Sequence, residues 1–110
     1  MGSSSSKSSN MADIKTSVET EIASNKVVVF SKSYCPYCSQ TKSTFAGIPN
    51  ANAKVIELDQ VPGGSEMQQY LMQKTGQRTV PNVFVNGKHL GGNDDTQAAL
   101  SSGKLTEMLA

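Results

Sequence analysis

The sequence lacks three features that would define its class at once: long apolar runs, an excess of one charge sign, and many cysteines. No apolar run approaches the roughly eighteen residues of a transmembrane helix, and no charged-then-apolar leader opens the chain. Ten Lys and Arg residues stand against nine Asp and Glu residues, and a net charge of +1 is far from the basic footprint of nucleic-acid-binding proteins. We therefore expect no membrane span, no secretory signal and no nucleic-acid partner.

Cysteine occurs only twice, at Cys35 and Cys38. A disulfide across so short a loop removes little entropy from the unfolded chain, so the pair does not form the stapled framework of small secreted domains. In a reducing compartment, two cysteines at this spacing indicate either redox chemistry or half of a metal site. We expect a cytoplasmic protein, and the rest of the chain has to decide between these two chemistries.

The length of 110 residues fits one domain. Residues 1–11 form a Ser-rich stretch that can bury nothing and are predicted to be a disordered tail, while residues 12–110 form the folded domain. Gly2 and Ser6 fit the pattern for N-myristoylation, although a plain tail with Met11 as the native start explains the same residues. One acyl chain binds membranes only marginally, so we expect no stable membrane association.

Hydrophobic periodicity predicts alternating helices and strands. Ile14, Val18 and Ile22 recur every four positions, which favours an amphipathic helix over 12–24. The β-branched run 26–30 is typical of a central strand that helices cover on both faces. The next predicted elements are a helix over 36–46, a strand over 54–58, and a helix that Ser65 caps and Gly76 ends. A hairpin follows, with strands over 82–85 and 88–90 around Asn86-Gly87. The last elements are a helix opened by Asn93, Asp94 and Asp95, and a short helical piece ending at Leu109. This order predicts an α/β fold with a four-stranded mixed β-sheet flanked by helices on both faces.

The cysteine pair falls where the central strand gives way to a helix. Because Pro36 takes the first helical position, the sulfur of Cys35 faces the positive end of the helix dipole, a setting that favours thiolate, and Lys32 adds a cation. Cys38 lies one turn into the helix and is more buried, which suits a resolving thiol. Alternatively, Cys35 and Cys38 could be two small buried core residues without a chemical role. A zinc site would need more ligands, and the one histidine, His89, is expected to be a solvated strand residue, so we expect no metal.

Pro81 directly precedes a predicted strand, where proline is unusual because it has no N–H to donate to a neighbouring strand. A cis bond to Val80 would turn the chain sharply and leave the backbone of Val80 as an unpaired edge for an extended peptide. The ordinary trans bond remains the alternative that the residues alone favour.

Three separated motifs resemble those of the dithiol glutaredoxins of the CPYC class. They are Cys35-Pro36-Tyr37-Cys38, then Gln77-Arg78-Thr79-Val80-Pro81, then Gly87-Lys88-His89-Leu90-Gly91-Gly92 with Asn93-Asp94-Asp95. Thioredoxin itself fits less well, since its site is WCGPC and this chain has no Trp. The resemblance implies the thioredoxin fold, a cis bond at Pro81, and glutathione as the co-substrate.

The resemblance also implies which residues hold glutathione. The glycyl carboxylate would meet Lys32 and Gln68, with Arg78 assisting, and Tyr37 would flank the sulfur. Thr79, Val80 and Pro81 would supply the backbone edge, and Asp94 and Asp95 would bind the γ-glutamyl ammonium. Simpler readings exist: Lys32 and Arg78 as solvated charges, Gln68 as an exposed helix polar residue, and Asp95 as a helix cap.

The implied activity is glutathione-dependent thiol-disulfide oxidoreduction by a monomer whose partners are glutathione and glutathionylated or disulfide-bonded proteins. The Cys35 thiolate would attack the mixed disulfide, and Cys38 would join in when a protein disulfide is reduced. One alternative is a carrier that holds a [2Fe-2S] cluster between two protomers through Cys35 and glutathione, although Pro36 stiffens the loop against it. Another is a catalytically idle binding module, which the presence of both cysteines opposes.

Overall fold

The computed structural model describes residues 11–110. The expectations for Gly2 and for residues 1–10 lie outside the described residues. Met11, which we assigned to the tail, is instead the first residue of the first helix. In chain order the elements are α1 (Met11–Ser24), β1 (Val27–Ser31), α2 (Pro36–Ala46), β2 (Ala53–Glu57), α3 (Gly64–Thr75), β3 (Asn82–Val85), β4 (Lys88–Gly91), α4 (Asn93–Ser102) and α5 (Lys104–Leu109).

The four strands form one mixed sheet in the order β2-β1-β3-β4. The two inner strands are β1, which runs parallel to β2 and antiparallel to β3, and β3, which also pairs with β4 in the hairpin. Every residue of β1 is buried, as the unbroken β-branched run predicts. The predicted four-stranded mixed sheet is therefore confirmed.

Alternating side chains of the sheet divide the core into two layers. Val27 and Val29 of β1 pack with Phe45 of α2 and with residues of α4 and α5. Val28 and Phe30 point to the opposite face, toward α1 and α3. Because successive strand residues face opposite sides, this division fixes which helix lies over each residue of β1. The stripe predicted for the first helix, formed by Ile14, Val18 and Ile22, is buried.

One predicted helix start is wrong. Ser65 does not cap α3; the cap is Gly63, which has a φ of 74° and makes no side-chain cap hydrogen bond. The following Gly64 is buried, and a Cβ there would overlap the carbonyl of Leu58. Close backbone contact with Leu58, rather than side-chain capping, therefore determines where α3 begins.

The hairpin turn is as predicted: Asn86 and Gly87 have φ values of 50° and 81°, the positive pair that a type I′ turn requires. Asn86 also anchors two other segments. Its N–H donates to the Lys26 carbonyl at 2.7 Å, and its Nδ2 donates to the Met108 carbonyl at 2.7 Å. Within residues 11–110, no helix has the length and apolar content to span a bilayer.

Candidate active site

Cys35 is the N-cap residue of α2, and Pro36 occupies the first turn, as the sequence predicts. The Sγ atom of Cys35 accepts a hydrogen bond from the N–H of Cys38 at 3.3 Å. An N-terminal amide and the helix dipole therefore both act on this half-buried sulfur, an arrangement that stabilises negative charge.

Cys38 lies in the same helix but is sealed from solvent, with 0% of its surface exposed. Burial raises the pKa of the Cys38 thiol, and its hydrogen bond with Cys35 raises it further, while the backbone of Lys32 and the hydroxyl of Ser31 lower it. Both cysteines are free thiols in this structure. The two sulfurs thus differ in access: Cys35 is open to a substrate, and Cys38 reaches only Cys35 and its buried neighbours.

Beside Cys35 the backbone forms the expected edge. The Val80–Pro81 peptide bond is cis, and the Val80 carbonyl oxygen lies 3.9 Å from Cys35 Sγ. The N–H of Val80 has no hydrogen-bond partner among the described residues. A free amide next to a reactive sulfur is able to bind the backbone of an extended thiol peptide.

A cavity of about 540 Å³ opens next to this edge. Among the residues predicted to bind glutathione, six line it: Tyr37, Thr79, Val80, Pro81, Asp94 and Asp95. The aromatic side chain of Tyr37 is 65% exposed and stands at the same end of α2 as Cys35. The structure thus gathers residues from three separated motifs around one opening.

Three other predicted residues lie outside the cavity wall. Gln68 donates its Nε2 to the Arg78 carbonyl at 2.8 Å, so it braces the loop that carries the edge. Arg78 is exposed, and Lys32 is half-buried in the loop that leads to Cys35. In the structure as it stands, these side chains surround the opening without lining it.

The sequence analysis missed Gln77 as a site residue. Its Nε2 lines the cavity and donates to two backbone carbonyls, Thr79 at 3.0 Å and Pro81 at 2.9 Å. By holding these two carbonyls, Gln77 fixes the segment on both sides of Val80. Its place at the start of the Gln77-to-Pro81 motif is the sequence signal that could have pointed to it.

The acidic end of the cavity requires a glycine at position 91. Asp95 accepts a hydrogen bond from the Gly92 N–H at 3.1 Å through Oδ2, so its carboxylate closes the first turn of α4. Gly91 has a φ of 124°, and a Cβ there would collide with that carboxylate. Asp95 is therefore a helix cap, as the simpler interpretation of the sequence predicted, and it also lines the cavity.

A buried polar cluster joins the end of the cavity to α2. Thr41 donates to Asn93 Oδ1 at 2.8 Å, and Asn93 Nδ2 donates to Gln40 Oε1 at 2.9 Å. Thr41 is fully buried and Asn93 nearly so, and their hydrogen bond is one of the polar contacts that hold the cysteine helix against α4. Asn93 also lines the cavity and was not predicted to do so.

Two further expectations concern metal and His89. Over residues 11–110 the structure shows no group of three or more His, Cys, Asp or Glu side chains that could hold a metal ion. His89 lies on β4, exposed as predicted, with its Nε2 at 2.9 Å from Asn82 Oδ1.

A strand-to-helix Cys-x-x-Cys pair beside a cis-proline edge, on this sheet order, defines a thiol oxidoreductase of the thioredoxin fold. The family model described as Glutaredoxin matches residues 27–90. Glutaredoxin-C6 of Oryza sativa subsp. japonica is 56% identical over 88 residues, covering 80% of this chain and 78% of that protein. Glutaredoxin-1 of Rhizophagus irregularis is 46% identical over 100 residues, covering 91% of this chain and 98% of that protein.

Solved structures agree with these sequence matches. The crystal structure of a buckwheat glutaredoxin-glutathione complex superposes with a TM-score of 0.86 at 42% identity, covering 97% of this chain and 94% of that one. The crystal structure of wheat glutaredoxin has a TM-score of 0.79 at 52% identity and covers 90% of each chain. The chain belongs to the glutaredoxin family.

Proposed function

We propose that the protein is a glutathione-dependent thiol-disulfide oxidoreductase that reduces protein-glutathione mixed disulfides and protein disulfides. The observation that carries the proposal is the accessible Cys35 sulfur at the N-terminus of α2, next to the cavity and to the free backbone edge at Val80. The reaction needs reduced glutathione, so we place it in a reducing compartment, the cytoplasm.

The first step uses Cys35 alone. Its thiolate attacks the glutathionyl sulfur of the mixed disulfide, a new bond forms between Cys35 and glutathione, and the protein thiolate leaves with the electron pair. Reduced glutathione then attacks this intermediate, which releases glutathione disulfide and restores Cys35. The Cys38 N–H that bonds Cys35 Sγ stabilises the charge on sulfur both before the attack and when Cys35 leaves.

Protein disulfides follow a second route that requires Cys38. After Cys35 has opened the substrate disulfide, Cys38 attacks Cys35 Sγ, the Cys35–Cys38 disulfide closes, and the reduced substrate leaves. Two glutathione molecules later reduce this disulfide. The buried position of Cys38 restricts its reaction to the sulfur of Cys35, which is a feature of a resolving thiol.

The cavity offers groups that match glutathione in chemistry. The N–H of Val80 suits the cysteinyl backbone, and the carboxylates of Asp94 and Asp95 suit the γ-glutamyl ammonium at the N-terminus of α4. Lys32 and Arg78 are the nearby cations for the glycyl carboxylate. Their side chains would have to move from their present positions to contact it. The buckwheat relative, similar over nearly the whole chain, was solved as a complex with glutathione, which supports this assignment.

Two serine substitutions test the proposal. Cys35→Ser should abolish both deglutathionylation and disulfide reduction, because Cys38, the other thiol of the described residues, is sealed from solvent. Cys38→Ser should retain deglutathionylation and lose most disulfide reduction, since only the second route uses it. A glutathione-coupled NADPH assay with a glutathionylated protein and with a protein disulfide measures both. Turnover by the Cys35→Ser variant would overturn the assignment.

A further inference from the structure

The disulfide-closing step requires Cys38 to lose its proton, yet nothing in solvent reaches its sulfur. The thiol is fully buried, and burial raises its pKa. A water molecule or free base therefore has no direct approach, so a proton must leave through neighbouring protein groups. The region beneath α2 supplies such groups.

Ser31 lies under Cys38 by strand alternation. It is on the same face of β1 as Val27 and Val29, the face that packs against α2, and it is fully buried. Cys38 is one of the buried residues of α2 on the side that meets this face. Phe45, near the end of α2, packs with Val27 and Val29, so Cys38, near the start of α2, lies against Ser31 at the end of β1. The Ser31 hydroxyl also lowers the pKa of the Cys38 thiol, in opposition to burial.

Glu57 continues the chain of contacts on the neighbouring strand. Ser31 and Glu57 are register partners in the parallel pair of β1 and β2, and the Ser31 hydroxyl donates to Glu57 Oε1 at 2.7 Å. Lys42 Nζ holds the other oxygen, Oε2, at 2.7 Å. Lys42 is four residues after Cys38 on α2, so the same helix face carries the thiol and the cation that orients the carboxylate.

The carboxylate of Glu57 also meets solvent. Its side chain is 21% exposed and that of Lys42 is 26% exposed, whereas Ser31 and Cys38 are sealed. The path therefore begins at a buried sulfur and ends at a group that exchanges protons with water.

We infer that Ser31 and Glu57 form a proton relay that carries the proton of the Cys38 thiol to solvent as Cys38 closes the disulfide with Cys35. The inference rests on the proposed function and names the residues that its second route needs. Ser31 Oγ takes the proton from sulfur while its own hydroxyl proton passes to Glu57 Oε1, which later returns it to water. The Cys38 thiolate attacks Cys35 Sγ, a Cys35–Cys38 bond forms, and the thiolate previously bound to Cys35 leaves with the electron pair.

Other charged groups near the relay have partners of their own. Lys54 pairs with Glu21 at 3.7 Å farther along the groove that Glu57 lines. On the other side, Asp59 is held by the N–H and hydroxyl of Ser33, beside Lys32. Of the carboxylates in residues 11–110, Glu57 is the one hydrogen-bonded to Ser31.

A quenched-flow experiment on the full chain separates the two chemical steps. Reduced protein is mixed with excess glutathione disulfide, acid-quenched, and resolved by intact mass into the reduced, glutathionylated and internally oxidised forms. The first step, glutathionylation of Cys35, does not use the relay. The second step, conversion of the glutathionylated form into the Cys35–Cys38 disulfide, does.

Glu57→Gln should slow the second step about ten-fold or more at pH 7, in line with the usual loss of general base catalysis. The difference should shrink as pH rises, because a growing fraction of Cys38 is already thiolate before the second step begins, while the first step keeps its wild-type rate. Ser31→Ala should slow the second step similarly, and the double variant no more than either single one, because both residues serve one path. Ser31→Ala also provides the test should Glu57→Gln fail to fold.

The matched control is Glu21→Gln, which removes another paired carboxylate of the same groove and should leave both steps unchanged. The relay is overturned if Glu57→Gln closes the disulfide at the wild-type rate at every pH, or if it slows both steps equally, as local damage would. A wild-type protein that never becomes glutathionylated at Cys35 would instead refute the proposed function.

Discussion

At the scale of single residues, we propose that Asp95 combines two roles, a helix cap and a binding group. Its Oδ2 accepts the Gly92 N–H that opens α4, and its carboxylate lines the cavity where an ammonium group would bind. A helix cap needs only an oxygen acceptor, whereas attraction of an ammonium group also needs the negative charge. A substitution that keeps the oxygen and removes the charge therefore separates the two roles.

Asp95→Asn should leave the free energy of unfolding nearly unchanged and weaken glutathione binding about three- to five-fold, the size expected for an exposed ion pair. S-methylglutathione, which cannot react with Cys35, is a suitable ligand for calorimetric titration. The control is Asp13→Asn, an exposed aspartate in the first turn of α1. Equal affinity in the Asp95 and Asp13 variants would remove Asp95 from the binding site.

The cysteine pair and the proline edge, which the structure brings together, could be predicted from the sequence, but the residues that support them could not. Cys35, Cys38 and the Val80–Pro81 edge belong to short motifs whose chemistry is local. Gln77 acts through the backbone of the loop 77–81 and Glu57 through a register partner, and such contacts exist only once the loop and the strands have folded. The same reason explains why Gln68 turned toward the Arg78 carbonyl instead of the cavity.

At the scale of elements, the junction of β4 and α4 depends on Gly91. Its φ of 124° is rarely adopted by residues with side chains, and a Cβ would strike Asp95. Gly87 in the hairpin turn has a φ of 81° but no atom within 4 Å of the added Cβ. The two glycines therefore share a backbone requirement and differ in the space around them.

Gly91→Ala should lower the free energy of unfolding by about 3 kcal/mol or more, since backbone strain and displacement of Asp95 add. Gly87→Ala, the matched control, should cost only about 1 kcal/mol. Urea denaturation followed by circular dichroism measures both. Similar losses in the two variants would show that the contact with Asp95 contributes nothing.

Element types were predictable because their patterns are strong. The apolar period of four in α1 predicts a helix, and the continuous β-branched run of β1 predicts a buried strand. The start of α3 was not predictable in this way, because Ser65 is a good capping residue, whereas the actual limit is the approach of Gly64 to the Leu58 backbone. Tertiary contact overrode a local preference there.

At the scale of the whole molecule, stability should depend on pH through His89. His89 is exposed overall, but the partial shielding of its ring from water lowers its pKa from 6.5, and Lys74 lowers it further, although Asp95 opposes the shift. The unfolded chain therefore binds this proton more readily than the folded protein does. The contribution of His89 to the free energy of unfolding is fully present above the pKa that His89 has in the unfolded chain. It declines as pH falls below about 6.5 toward the lower pKa of the folded protein.

His89→Gln should remove this decline, which urea titrations between pH 7.5 and 5 would detect. Glu19 acts in a lower window: hydrogen bonds from Tyr70 and Lys74 lower its pKa from 4.5, so its contribution is lost only at more acidic pH. Glu19→Gln is therefore the control, with a wild-type slope above pH 5. A His89→Gln variant with the same slope as wild type would contradict the prediction.

The hairpin tip has a practical consequence. Asn86 bonds the residue before β1 and the last helix, whereas the cysteines follow the other end of β1. Ala110 and the two cysteine sulfurs thus lie at opposite ends of the sheet. A fluorophore, an affinity handle or an electrode linker attached through Ala110 would leave the sulfur-bearing end facing outward, which makes this polypeptide suited to oriented immobilisation.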